Sequence, residues 1–521
     1  MVAHMNWLVV LAVIVVILVI LGLIDLFQTR HAIRRNFPVI GRLRYLLEKL
    51  GPELRQYIVT DNDEERPFSR DQRRWVYATA KNENQYFGFG TDNKMTAPQY
   101  PIIRHASFPY KKPTDGTKDE VGLEADASSD VSDAPCLPTL KVIGEWRNRP
   151  ATFRPDSLVG ISAMSFGSLS ARAIEALNRG AGMAGCLHNT GEGGVSDHHL
   201  HGGELVFQLG TGYFGARRSD GGFDSAKAAA LVDRTPVRAI EIKLSQGAKP
   251  GLGGVLPGSK VTEEIAAARG VPVGLTVASP SRHAEFDSVS SMIDFVEHVA
   301  EVCGVPVGIK SAVGQQQFWV ELADEMVATG RGPDFITVDG GEGGTGAAPL
   351  VFSDHVALPF RNAFAEVYRT FAERNMHEKV VWVGAGKLGF PGEALLAMVM
   401  GADMINVGRE AMLAVGCIQA QECHTGHCPT GVATHSKWLT RGLDPTDKAV
   451  RTANYIMNLR YELLQLAHAC GQPHPGLVGG SSIDLLLDGD CVVSILDHYG
   501  YDRDWRAISN EQVSAAEALM V

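Results

Sequence analysis

At 521 residues the chain exceeds one ordinary domain and leaves room for a large buried core. Its 48 Lys and Arg against 59 Asp and Glu give a net charge of −11 at pH 7, which argues against a nucleic-acid surface and lends no support to a general contact with anionic membranes. Eight cysteines without a paired framework suit a reducing compartment.

The first element is an unbroken apolar run of 17 residues, Leu8 to Ile24, near the lower limit for a helix that crosses hydrocarbon. A cleaved signal peptide is the competing reading. Met1 to Asn6 holds no Lys or Arg, however, and Gly22-Leu23-Ile24-Asp25 makes a poor cleavage site. Arg30, Arg34, Arg35, Arg42, Arg44 and Lys49 follow the run, so charge asymmetry predicts a single-pass transmembrane anchor over 1–25, with the remainder in the cytoplasm.

Residues 26–150 form an N-terminal extension with basic and aromatic stretches such as Arg73-Arg74-Trp75-Val76-Tyr77 and Gln85-Tyr86-Phe87-Gly88-Phe89-Gly90. An acidic segment between Lys111 and Pro135 is expected to be an exposed loop. From Leu158 onward, short apolar or β-branched runs alternate with amphipathic stretches, the mark of parallel βαβ units. Eight runs stand out: Val159 to Ala163, Gly185 to Asn189, Ala239 to Leu244, Val273 to Val277, Pro306 to Lys310, Phe335 to Asp339, Val380 to Gly384 and Met404 to Gly408. Ser170 to Met183, Ser259 to Arg269, Asp287 to Cys303 and Pro391 to Met400 read as helices between them. Strands apolar on both faces need cover on both sides, so the predicted fold is α/β, a closed (β/α)8 TIM barrel over 151–435. The Gly- and His-rich stretch of about 50 residues between the second and third runs reads as an insertion on the barrel rim, by the usual size of such connections. Residues 436–521 read as a helical C-terminal extension, notably Asp447 to Gly471.

Reactive groups of such a barrel sit where strands end. Those ends read Ser165-Phe166-Gly167-Ser168, Asn189-Thr190-Gly191-Glu192-Gly193-Gly194, Gln246-Gly247-Ala248-Lys249-Pro250-Gly251, Lys310-Ser311, Asp339-Gly340-Gly341-Glu342, Gly384-Ala385-Gly386-Lys387 and Gly408-Arg409. Glycines after the seventh and eighth strands let backbone N–H groups approach a phosphate, which points to Gly384, Gly386, Gly408 and Arg409. Gly384-Ala-Gly386-Lys-Leu-Gly389 also satisfies GxGxxG, with Asp403 further on, but it falls at the seventh unit and not at the first unit of a dinucleotide fold. Gly253 to Lys260 has the wrong order for a P-loop. Lys310 would put an ammonium in the barrel mouth, where it either stabilises negative charge on a bound group or pairs with Glu241 or Asp339. His188, His198, His199 and His201 have no carboxylate or cysteine at a recognised metal spacing.

Cys417, Cys423 and Cys428 stand in a C-x5-C-x4-C spacing with Pro429 directly after. Thiolates suit iron-sulfur clusters, and three of them can hold a [3Fe-4S] centre. Zinc competes, because His424 and His427 offer borderline ligands.

Several of these strings together resemble the FMN-binding synthase domain of glutamate synthase. They are Met164-Ser-Phe-Gly-Ser168, Asn189-Thr-Gly-Glu-Gly-Gly194, Glu241-Ile-Lys243 with Gln246 to Gly251, Leu256-Pro-Gly258, Asp339-Gly-Gly341 with Gly344-Thr-Gly346, and Cys417 to Thr434. The resemblance implies FMN on Met164, Ser165, Gln246, Lys310, Asp339, Gly340, Gly341, Gly384, Gly386, Gly408 and Arg409, and a [3Fe-4S] cluster on Cys417, Cys423 and Cys428. It implies reduction of 2-iminoglutarate, formed from 2-oxoglutarate and ammonia, to glutamate. Lys310 would contact flavin and substrate, Glu241 would lie near the reacting amine or imine, and Gln316 is a third catalytic candidate. The family's glutaminase part starts at a nucleophilic cysteine, whereas Met1-Val2-Ala3-His4 does not, so ammonia is expected from solution or from a separate glutaminase chain. An external donor such as ferredoxin or a reductase subunit is expected as well. The alternatives are a flavin oxidoreductase acting on another amino or hydroxy acid, or a non-catalytic electron-transfer subunit.

Overall fold

The computed structural model describes residues 2–83, 88–111, 136–487 and 491–520. Gln85, Tyr86 and Phe87 of the aromatic stretch, and the acidic segment from 112 to 135, lie outside the described residues. The chain divides into two compact units, 1–72 and 73–521. The expected boundary after residue 25 falls inside the first unit, and those after 150 and 435 fall inside the second.

In the first unit, the apolar run extends into one helix, Val2–Phe27. Its Trp7–Phe27 stretch, 21 residues at a mean hydropathy of 3.5, is long and apolar enough to cross a membrane. Helices Ala32–Asn36 and Gly41–Leu54 follow. Asp25 fastens the turn between them and the long helix. Its carboxylate accepts from Val39 N at 3.0 Å and from Arg42 Nε and Nη2, each at 2.8 Å.

The second unit is built on eight parallel strands: β1 Val159–Ile161, β2 His188–Asn189, β3 Leu205–Leu209, β4 Val237–Lys243, β5 Val307–Ala312, β6 Phe335–Asp339, β7 Val381–Ala385 and β8 Met404–Val407. They pair in sequence order, and β8 returns to β1, so the barrel closes. The number eight is as expected, but two memberships differ. Leu205–Leu209, inside the stretch taken for a rim insertion, is the third strand, and all five of its residues are buried. Val273 to Val277 is not a barrel strand. Val273 and Leu275 are exposed, Gly274 turns the backbone at φ +74°, and Val277–Ala278 pairs antiparallel with Val255–Leu256. An apolar run becomes a barrel strand only if both faces find cover, and this one finds none.

Local chemistry sets the helix ends. Ser170, Asp224, Thr262, Ser288 and Asp444 each accept a backbone N–H of the first turn. The barrel floor is apolar, formed by Ile143, Phe153, Leu187, Val206, Ala239, Phe335, Val381, Val383 and Met404. Ile143 and Phe153 pair antiparallel, so a hairpin from before the first strand helps to plug the amino-terminal end.

The C-terminal extension wraps the outer wall of the barrel. Helix Pro445–Ala469 lies against helix Ala171–Ala184 so closely that a Cβ on Gly180 would sit 2.5 Å from Thr452 Cβ. The extension is not purely helical: Ile483–Leu486 is the central strand of a small antiparallel sheet, between Tyr100–Ile103 and Val492–Ser494.

Buried histidines make this unit acid-sensitive. His474 Nε2 donates to Pro138 O at 2.9 Å while Nδ1 accepts from Gly476 N at 3.0 Å, so the neutral ring fits and a second ring proton would oppose the Gly476 N–H. Burial lowers the His474 pKa to about 4 and the His199 pKa to about 3. Both folded values lie below the unfolded value near 6.5, so stability is undiminished above that pH and is lost as pH falls through the window towards the folded values. In denaturant titrations between pH 7 and 5, His474→Gln should lose stability more gently than the parent chain, by about 1.4 kcal/mol per pH unit well inside that window. Parallel slopes would contradict a neutral buried His474.

Candidate active site at the barrel mouth

Above the apolar floor the barrel interior turns polar, and the centre of that layer is Glu241 on β4. It is 1% exposed, and its carboxylate accepts from Asn189 Nδ2 at 2.8 Å, Gln208 Nε2 at 2.7 Å and Thr337 Oγ1 at 2.6 Å. Four strands thus converge on one carboxylate. Register explains it: Gln208 lies opposite Glu241 across the β3–β4 ladder, and β5 carries Lys310 opposite Thr337 of β6.

Lys310 stands one layer further up, also buried, with Nζ 3.4 Å from Asp339 Oδ2. Burial alone would lower its pKa, but Asp339, Glu241 and Glu192 outweigh burial and hold it above the ordinary lysine value. The ammonium is therefore charged throughout the neutral range. The pairing with Asp339 raised from sequence is present, and it keeps the charge at the mouth.

The rim loops are tied to one another around this pair. Gly247 N donates to Asp339 Oδ2 at 2.9 Å, Lys249 Nζ reaches Ala347 O at 3.2 Å, and Gly340 N donates to Ala385 O at 2.8 Å. Phe360 N donates to Glu342 Oε2 at 2.8 Å, and Arg409 Nη2 donates to Glu342 O. The loops after β4, β6, β7 and β8 form one connected rim. Two of its glycines are obligatory: a Cβ on Gly247 would lie 1.8 Å from Gly340 O, and Gly386 has φ +131° with Gly340 N and Cα only 3.2 Å from a would-be Cβ. Gly384 faces Leu388 and Phe360, and Gly341 N donates to Leu358 O. Gly408 caps the short helix Arg409–Ala414, and burial lowers the Arg409 pKa. This backbone-lined, cationic rim fits the phosphate of a mononucleotide.

Further round, Gln246 accepts from Lys243 Nζ at 2.6 Å, and Lys243 pairs with Glu192 at 3.1 Å. Met164 and Ser165 are buried at the end of β1, where Ser165 Oγ lies 3.0 Å from Ser168 Oγ. Gln316 is different. It is exposed at the start of helix Gln317–Thr329, four residues past the end of β5.

The three cysteines follow helix Arg409–Ala414 in a loop tied down from two sides. Tyr77 OH donates to Cys417 O at 2.7 Å, and Lys260 Nζ donates to Cys423 O at 3.0 Å. All three thiols are free of disulfides. Burial pushes the Cys417 thiol up to about 12, with Cys423 and Cys428 adding to the rise, and burial with Cys428 raises Cys423. Three free cysteines on one loop, two of them with thiols that burial keeps protonated, fit a cationic metal centre, whose charge would stabilise thiolates there.

Sequence reasoning did not single out Gln208, Thr337, Lys260 or Tyr77. Gln208 carried a signal, the one polar residue in the apolar string Leu205-Val-Phe-Gln-Leu209. Lys260 was visible only as part of a failed P-loop. Among the histidines, His188 and His199 are buried, whereas ligand atoms of His198, His201 and Glu175 lie within 4.8 Å of one another. The carboxylate comes from a helix more than twenty residues earlier, a separation that motif spacing does not register. Glu175 is paired with Arg179 at 2.6 Å and His198 Nε2 with Glu264, so the group already has protein partners.

A family model described as a conserved region in glutamate synthase matches residues 127–473. The chain belongs to the glutamate synthase family. It is a glutamate synthase-like oxidoreductase. The glutamate synthase large subunit-like protein YerD of Bacillus subtilis (strain 168) is 39% identical over 470 residues, covering 86% of this chain and 88% of that one. The archaeal-type glutamate synthase (NADPH) of Thermotoga neapolitana is 35% identical over 316 residues, 60% of this chain and 59% of that one. The flavin-binding domain of baker's yeast flavocytochrome b2 is 13% identical at a TM-score of 0.43, covering 82% of this chain and 84% of that one, too slight a likeness to bear on function.

The stitched rim makes a sharp prediction. Gly247→Ala should cost about 1–3 kcal/mol through the forced contact with Gly340, read as a lowered denaturant midpoint. An unchanged midpoint would show that the β4 and β6 loops are not held together as described.

Proposed function

We propose that this family member reduces 2-iminoglutarate, formed from 2-oxoglutarate and ammonia, to glutamate, using FMN at the barrel mouth and a [3Fe-4S] cluster on Cys417, Cys423 and Cys428. When bound, FMN supplies hydride transfer and the cluster supplies single-electron transfer. The observation that carries the reading is the ammonium of Lys310, buried yet held charged, inside a rim of loops tied together through Gly247, Asp339 and Gly340.

The chain's own residues have distinct tasks. Lys310 offers its positive charge to a substrate carboxylate or to negative charge at the reacting centre, and Asp339 positions that ammonium. Glu241, locked by three donors, adds a fixed negative field beneath it that favours a cationic iminium. Gly384, Gly386, Gly408 and Arg409 would hold the FMN phosphate, with Met164, Ser165, Gln246, Gly340 and Gly341 around the remainder. Gln316 would reach the site only from its exposed loop. Electrons would come from an external donor, ferredoxin or a reductase subunit, and ammonia from solution or a separate glutaminase. The Trp7–Phe27 helix would anchor the chain as a single-pass membrane protein, with the barrel on the cytoplasmic side, in keeping with the basic residues that follow it.

Purified protein, reduced without air, should be reoxidised by 2-oxoglutarate plus ammonium with glutamate appearing. Reoxidation only by other amino or hydroxy acids would replace the substrate assignment, and reoxidation by no such acid would replace it with an electron-transfer role. Lys310→Ala should slow that reoxidation at least about tenfold, as losing one charged stabilising contact does, while flavin content stays near that of the parent. Unchanged kinetics would remove Lys310 from the mechanism.

A further inference from the structure

The first unit carries an apolar face that an anchor alone does not explain. On helix Gly41–Leu54, the side chains of Leu43, Leu46, Leu47, Leu50 and Leu54 fall within an arc of about 100° at 3.6 residues per turn. All five are 42 to 55% exposed. Ile40, Ile58 and Val59 continue the exposed apolar surface at the two ends. The other face carries Arg42, Tyr45, Glu48 and Lys49, and residues 28–59 hold seven Lys or Arg against two Glu. The net charge of −11 averages this basic segment away.

The turn into this helix is built. Asp25, 1% exposed, takes Val39 N and the Arg42 guanidinium, and Gly41 packs so tightly on Ile33 that a Cβ would lie 2.9 Å from its carbonyl oxygen. Tyr45 is gripped between the His31 ring, edge-on at 5.0 Å, and the Arg34 guanidinium at 4.4 Å. Asp25 lies in the last turn of the Trp7–Phe27 span, so the start of helix Gly41–Leu54 is pinned where the apolar span ends.

We propose that Gly41–Leu54 lies in the plane of the bilayer surface, its leucine stripe sunk among lipid acyl chains at the headgroup boundary and its basic residues among lipid phosphates. The proposal rests on the reading of Trp7–Phe27 as a membrane anchor. A basic amphipathic helix pinned at the level where hydrocarbon ends meets the one surface that is apolar on one side and anionic on the other. The span and this helix together would form an L-shaped mooring, with Asp25 and Arg42 at its corner.

Photo-crosslinking of the full chain in vesicles of phosphatidylethanolamine and phosphatidylglycerol tests this. The residue p-benzoylphenylalanine would replace Val13, Leu47 or Lys49 in turn. Position 47 should give several-fold more lipid adduct than position 49 on the opposite face. Protein adducts from position 47, or lipid adducts equal at 47 and 49, would overturn the in-plane helix. Position 13 separates the two readings: lipid adducts at 13 without an excess at 47 would leave the anchor and remove the surface helix, whereas none at 13 would remove both.

Discussion

One buried carboxylate organises the barrel mouth. Glu241 has no access to water, so its charge is tolerable only because Asn189, Gln208 and Thr337 all donate to it. These donors come from β2, β3 and β6, and the need to satisfy one anion fixes how the strands stand relative to one another at mid-height. Lys310 depends on the same arrangement. A lysine desolvated to this degree would lose its proton without nearby anions, and Asp339 with Glu241 prevents that. The mouth therefore holds a charged lysine above a carboxyl group whose three donors come from other strands, aligned by the ladder of β4, β5 and β6.

Close backbone approach is the second constraint, and it extends the first outward. Asp339 both holds Lys310 and accepts from Gly247, so the charge pair and the rim loops share one side chain. Glu342 does the same between Phe360 and Arg409. A substitution in one loop should therefore be felt in its neighbours. The cysteine loop is held by different means, through Tyr77 and Lys260, which come from far earlier in the chain. A stretch before the barrel is thus part of the cysteine loop's support, and the dismissed Gly253–Lys260 string has a structural task.

Sequence and structure diverge most where cover decides the outcome. Val273 to Val277 and Leu205 to Leu209 are both short and rich in apolar residues, and nothing local separates a barrel strand from an exposed hairpin. The total of eight came out right because one omission offset one inclusion. Lys310 still lies on the fifth strand, two residues before its end at Ala312, since the missed strand precedes it and the mistaken one does too.

The sequence by itself determined the alternating β/α rhythm, the glycine-rich strand ends, the cysteine triplet and the apolar N-terminal helix, because each follows from near-neighbour spacing or from residues that tolerate particular backbone shapes. It also singled out Glu241, Lys310 and Asp339. Only the tertiary structure decided that Glu241 is satisfied by three other strands, that Lys310 pairs with Asp339 and not directly with Glu241, and that Tyr77 and Lys260 brace the cysteines. Burial, register and the partners of a charge depend on which distant segments arrive beside it, and barrel closure is what brings those segments together.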